Sequence, residues 1–176
     1  MNRKDKTKLL SEILISTRFS GPGKYWASEV TFDAFSSNSK RIDFVQFEPK
    51  TQSCICDIEK GEFTAYEIKS CKADFNSGHG LNFDVCEWNY IVTDMATYRD
   101  ILPELKTKWN KFGVLVAVPN WLDCRSKDAL RAEIENPTEF NRNTEWKLYP
   151  IIKQHHYHYR NKPLAEMLFC MLRSGQ

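Results

Sequence analysis

Glu67 and Lys69 stand two residues apart in the run Ala65-Tyr66-Glu67-Ile68-Lys69-Ser70. On a β-strand, residues i and i+2 leave the same face, so this carboxylate and ammonium would emerge side by side. Upstream, Arg41-Ile42-Asp43-Phe44-Val45 reads as a second strand that presents another carboxylate. Magnesium takes hard oxygen ligands, keeps several waters, and is held by one or two carboxylates plus substrate phosphate. Asp43 and Glu67 could supply the two carboxylates, with the backbone carbonyl of Ile68 as a third ligand. A cation held there would polarise a phosphodiester and lower the pKa of a bound water. Lys69, a compact ammonium on a flexible stem, would position that water or offset charge that develops on the phosphorane. The expected catalytic residues are therefore Asp43, Glu67 and Lys69, with Mg²⁺ or Mn²⁺ as cofactor. A Glu-x-Lys triplet also occurs as a solvated pair on ordinary strands. Here the apolar neighbours Ala65 and Ile68 argue for a strand buried on at least one face, where unpaired charge is costly.

The elements that must position these residues follow from periodicity. Leu9, Leu10, Ile13 and Leu14 recur at helical spacing within 6–16, and Ser20-Gly21-Pro22-Gly23 ends that first helical region. Alternation predicts a strand at 25–32, and further strands are expected at 41–47, 53–58, 63–70 and 89–93, with a hairpin-type turn at Glu59-Lys60-Gly61-Glu62. Asp74 to Gly80 reads as a loop or helix start. A helix near 97–106 precedes the run Val114-Leu115-Val116-Ala117-Val118, which reads as a strand buried on both faces. A helix at 126–135 ends before Pro137; a strand at 146–152 leads to a last helix at 163–173, with Pro163 in its first turn. The order points to one α/β domain over 1–176, with α+β as the alternative. Its ends are a helical segment within 1–20 and another within 163–176.

Composition narrows the class. The chain has 176 residues, 41% of them hydrophobic, with a net charge of +2, too small to mark a nucleic-acid binder by bulk field. DNA contacts must then come from local basic patches. No apolar run approaches the roughly 18 residues a transmembrane helix needs. Leu9–Ile15 carries Ser11 and Glu12 and has no cleavage site, so a signal peptide is not expected. The 6 cysteines show no Cys-x-x-Cys or zinc spacing, which suggests free thiols in a reducing cytoplasm.

Several other residues could join the chemistry. Glu29, on the strand before Asp43, or Glu12, on the first helix, could add a metal ligand; both could equally be surface groups. His79, between Gly78 and Gly80, could contact a phosphate or orient water, or simply face solvent. Asp74 and Phe75 suit a helix cap and a core residue better than catalysis. Lys153 and His155-His156-Tyr157-His158-Tyr159-Arg160 mix bases with aromatics, as a nucleic-acid surface would, although an exposed strand extension fits as well. Lys106, Lys108 and Lys111 around Trp109 form a smaller basic patch, of the kind a solvated helix end also shows.

Asp43 with Glu67-Ile68-Lys69 resembles the core of the PD-(D/E)XK nuclease superfamily. More narrowly, Tyr66 through Phe75 resembles the strand and following turn of MmcB-like DNA-repair proteins and their phage-encoded relatives. The likeness continues through His79–Phe83, Trp88–Val92, Gly113–Val118 and Trp146–Lys153, and so spans roughly 25–175. Ile42 rather than proline precedes Asp43, and Cys71 stands where relatives commonly have serine. The long separation between Asp43 and Glu67 calls for an extra hairpin. The resemblance implies a restriction-endonuclease-like mixed sheet flanked by helices, a divalent metal, and hydrolysis of DNA in repair, recombination or phage DNA metabolism. The residues expected to contact DNA are His79, Lys72, Lys153, His156 and Arg160. The resemblance also admits a homodimer, and no membrane partner. A catalytically silent member that binds DNA or a protein is the alternative.

Overall fold

The computed structural model describes residues 1–51, 54–81, 85–108, 110–154 and 159–174. Asn2 opens helix α1 (Arg3–Leu14): its side chain accepts the Asp5 N–H at 2.9 Å, satisfying a donor that a helix start leaves free. Leu9, Leu10, Ile13 and Leu14 all bury, as their spacing requires. The chain then widens into a π-helical turn over Ile15–Phe19. Hydroxyls of Ser16 and Thr17 donate back to the Ile13 carbonyl there, at 3.1 and 2.6 Å.

Strands β1 (Tyr25–Phe32) and β2 (Lys40–Glu48) form the first hairpin, and α2 (Ile55–Glu59) intervenes before β3 (Glu62–Ile68). Next come α3 (Lys72–Asn76), β4 (Trp88–Asp94), α4 (Met95–Thr107), β5 (Gly113–Pro119), α5 (Lys127–Glu135), β6 (Trp146–Ile152) and α6 (Leu164–Arg173). All six strands lie in one sheet in chain order. The pairs β1–β2, β2–β3 and β5–β6 are antiparallel, whereas β3–β4 and β4–β5 are parallel. Parallel neighbours require a crossover, and α3 and α4 lie on the two connections. The chain is thus an α/β protein with a six-stranded mixed sheet flanked, among the described residues, by six α-helices.

One expected strand is corrected. Of 53–58, Ser53 lies outside the described residues, and Ile55–Glu59 is a short helix. Its apolar residues are not used for burial: Ile55 is 79% exposed and Ile58 40%. Strands β2 and β3 already pair directly, so no edge is open for it. The segment instead folds on itself, the Asp57 carbonyl accepting the Lys50 N–H at 3.1 Å. Cys54 and Cys56 within it are joined by a disulfide, against the expectation of free thiols; Cys71, Cys124 and Cys170 remain free.

Register decides which residues share a face. Val45 pairs with Ala65, Glu67 with Ile91, and Ile91 with Val114, so all of these point to one side. There, Phe47, Phe63 and Ala65 pack on Met167, Cys170 and Met171 of α6. Further along the same face, Ile91, Val114 and Val116 pack on Met95, Ile101 and Leu105 of α4. The other face carries Tyr66, Ile68, Val92 and Leu115 against the leucines of α1. Strand β5 is buried at every position, as its unbroken apolar run predicts. No helix among the described residues is long and apolar enough to cross a membrane.

Candidate active site

The backbone ladder between β2 and β3 runs from Glu48↔Glu62 to Phe44↔Tyr66 and stops there. One step beyond, Asp43 stands opposite Glu67, and side chains take over from the backbone. The Ile68 N–H donates to Asp43 Oδ2 at 2.9 Å, and the Asp43 N–H donates to Glu67 Oε2 at 3.4 Å. The strands therefore fork with a carboxylate on each prong. Glu67 falls between the α6 and α4 core patches and is only 7% exposed.

Lys69 follows the last residue of β3, but its N–H still donates to the Val92 carbonyl at 2.9 Å, which holds it in strand direction. Its side chain thus leaves the same face as Glu67. The Lys69 Nζ donates to Glu67 Oε1 at 3.1 Å and to the His79 carbonyl at 2.6 Å. Gly80 closes over the pair with φ of +77°, and a Cβ there would lie 1.7 Å from Glu67 Oε1. Only glycine fits that close approach.

Burial, followed by the neighbouring Asp43 charge, pushes the Glu67 carboxyl up to about 7, against the pull of Lys69. Burial likewise raises Asp43, with the Ile68 N–H and Lys69 opposing and Glu29 adding to the rise. One ammonium is thus set against two crowded carboxylates. A cleft of about 830 Å³ opens onto them, and Arg3, Lys40, Arg41, Asp74 and His79 also line it.

The structure brings Asp43, Glu67, Ile68 and Lys69 together in this cleft. Glu29 stands opposite Asp43, between the pairs Ser28↔Phe44 and Val30↔Ile42, at φ of 53°. It is exposed and pairs with Arg41 at 3.1 Å. Among the described residues, neither Glu29 nor Asp74 nor His79 joins Asp43 and Glu67 in a cluster of three ligand atoms within 4.8 Å. Glu12 is elsewhere, paired with Arg142 at 2.9 Å.

The expected DNA contacts scatter. His79 lines the cleft. Lys72, on α3, is paired with Glu104 at 3.1 Å. Lys153 belongs to a different cleft on the other face of the sheet. The Arg160 guanidinium is engaged internally, donating to Glu87 Oε1 at 2.5 Å and to the Gly61 carbonyl at 3.1 Å. His156, its neighbours His155, Tyr157 and His158, and Trp109 lie outside the described residues.

Sequence reasoning missed Arg3, Lys40 and Arg41. The signal for Lys40 and Arg41 was their place just before Asp43; for Arg3 there was none, because α1 is distant in the chain. Phe75 is a core residue as expected. Asp74 is not the expected helix cap: it lies within α3, whose N-cap Cys71 makes no side-chain cap bond, and its Oδ1 pairs with Arg3 at 2.7 Å while its Oδ2 accepts the Ser70 N–H at 3.5 Å.

No family model matches the chain, and no curated protein does either. Among solved structures it is similar to the SPO1766 protein of unknown function from Silicibacter pomeroyi, with a TM-score of 0.50 and 14% identity over 99% of this chain and 84% of that one. At that identity the likeness speaks for the fold.

Proposed function

We propose that the chain is a metal-dependent nuclease-like protein of the PD-(D/E)XK type, acting on phosphodiester bonds of DNA. The observation that carries this reading is the fork itself: Asp43 and Glu67 meet beside Lys69 at the end of a strand pair, in an open cleft with a basic rim. The donor set suits a hard divalent cation. It offers carboxylate oxygens without thiolate or imidazole, and two crowded, nearly buried carboxyls gain from a neutralising dication. Asp43 and Glu67 would hold Mg²⁺ or Mn²⁺, with the Ile68 carbonyl adjacent. Such a cation supplies Lewis-acid polarisation of the phosphate and a water of lowered pKa.

The residues of the chain do the rest. Lys69, fixed by the His79 carbonyl and Glu67, orients the attacking water and offsets charge on the phosphorane. Lys40, Arg41 and Arg3 at the rim hold flanking phosphates, which makes binding sensitive to salt. His79 is exposed at the mouth, next to where a phosphate would enter.

A second reading, a DNA-binding member without catalysis, is favoured by the lid over Glu67, since Gly80 leaves that carboxylate almost no free surface. Incubation of duplex and single-stranded DNA with Mg²⁺ or Mn²⁺ separates the two. Cleavage by the native protein that Glu67→Gln and Lys69→Ala lose supports the nuclease. Salt-sensitive binding with no cleavage under either metal supports the silent member.

A further inference from the structure

A second cleft, also of about 830 Å³, lies on the opposite sheet face from the Asp43–Glu67–Lys69 site, within the size range of small-ligand sites. Its wall is aromatic. Tyr66 and Tyr90 are partners in the β3–β4 register, and their rings stack with centroids 6.0 Å apart at 21°. Trp88 lies on the same wall, its indole N–H donating to Glu62 Oε2 at 2.7 Å.

The rim is cationic. Arg18, at the end of the π-helical turn, joins Lys50, Lys60 and Lys153 around the opening. Glu48 and Glu62 are there too, but none of the four cationic side chains makes an ion pair among the described residues. Set against Glu48 and Glu62, the four cations leave the lining with an excess of two positive charges beside the aromatic wall.

The floor supplies a directional group. Gln154 lines the cleft and is 7% exposed. Its Oε1 accepts the Asn89 N–H, which fixes the amide, while its Nε2 is buried and has no hydrogen-bond partner. A buried donor left unsatisfied is costly, and with no surface open to the cleft this one meets a ligand only if the amide turns.

We infer that this cleft binds a nucleotide unit, with the base on the Trp88–Tyr90 wall and phosphate among Arg18, Lys50, Lys60 and Lys153. Stacking on aromatic rings tolerates any base, and a cationic rim suits its phosphate. The unit could be a free nucleotide or part of a single strand; the chemistry is shared. The inference does not depend on the opposite cleft being catalytic.

Calorimetric titration without divalent metal tests it, with ATP, inorganic tripolyphosphate and an eight-residue oligothymidylate as probes. ATP or the oligonucleotide should bind, and Lys153→Glu and Tyr90→Leu should each weaken that binding about tenfold or more. The preferred probe identifies the source. Lys153 is exposed, so its variant keeps the test valid should Tyr90→Leu fail to fold. The inference is overturned if neither probe binds, if tripolyphosphate binds as tightly as ATP, or if the Lys153→Glu protein binds like the native one.

Discussion

The carboxylate of Asp43 takes the backbone N–H of Ile68 at 2.9 Å, one residue past the point where β2 and β3 stop pairing. A side chain has replaced a ladder partner, so Asp43 both holds the fork open and carries charge into it. The two roles can be separated. Asp43→Asn retains an acceptor for Ile68 and should fold normally while metal-dependent DNA cleavage falls by about two to three orders of magnitude. Asp43→Ala should lose cleavage and also about 1–2 kcal/mol of stability, because the Ile68 donor is left unpaired. Cleavage assays beside thermal melts would read both; full activity in Asp43→Asn would remove Asp43 from the site.

Stability should respond to pH through Glu67, whose carboxyl rises from its ordinary 4.5 to about 7 in the folded chain. Between those values the folded protein binds more protons than the unfolded one, so stability falls as pH rises from about 4.5 to about 7. Above that range the loss is complete, on the order of 3 kcal/mol or less. Glu67→Gln has no proton to lose and should show a flatter profile. Added Mg²⁺ should restore stability to the native protein near pH 8 by binding the folded state. Urea melts across this range decide it, and parallel profiles for the native and Glu67→Gln proteins would contradict the assignment.

Gly80→Ala should be expensive. The added methyl would meet Glu67 Oε1 at 1.7 Å, on a backbone with φ of +77°. Either the loop lifts or Glu67 turns away, with a cost of about 1–3 kcal/mol. A Gly78→Ala protein, where φ is +69° but nothing lies within 4 Å, controls for backbone strain alone. The melting temperature of Gly80→Ala should drop further than that of Gly78→Ala, and a similar drop in both would argue against close packing on Glu67.

Arg160 and Arg41 should part company. Arg160 serves Glu87, which is 5% exposed, so Arg160→Ala should cost about 3 kcal/mol by stranding that charge. Its effect on DNA affinity should be small once folding is allowed for. Arg41 pairs with Glu29 in the open, where ion pairs are worth little, so Arg41→Ala should hardly alter stability. It should instead weaken DNA binding and reduce the salt slope by about one. Melts and binding at several salt concentrations test the pair.

Most of the sheet was legible because its strands carry period-2 or continuously apolar runs, and the 25–32 strand falls where alternation puts it. The helix at Ile55–Glu59 was not, because its apolar residues look like a strand but lie in solvent. The partner of Arg160 was not legible for a related reason: an arginine among aromatics gives no local sign of Glu87, far away in the chain, which the fold places beside it.

By itself the sequence determined that Glu67 and Lys69 share a face, since that follows from the two-residue period of a strand, and that Asp43 sits on a strand of its own. Tertiary structure alone decided that Asp43 faces Glu67, because cross-strand register depends on the length and path of the connection between β2 and β3. It also decided that Arg3 and Gly80 border the same carboxylates, and that Trp88 and Tyr90 line a second cleft. These are long-range contacts set by how helices and loops pack on the finished sheet, and no local pattern encodes them.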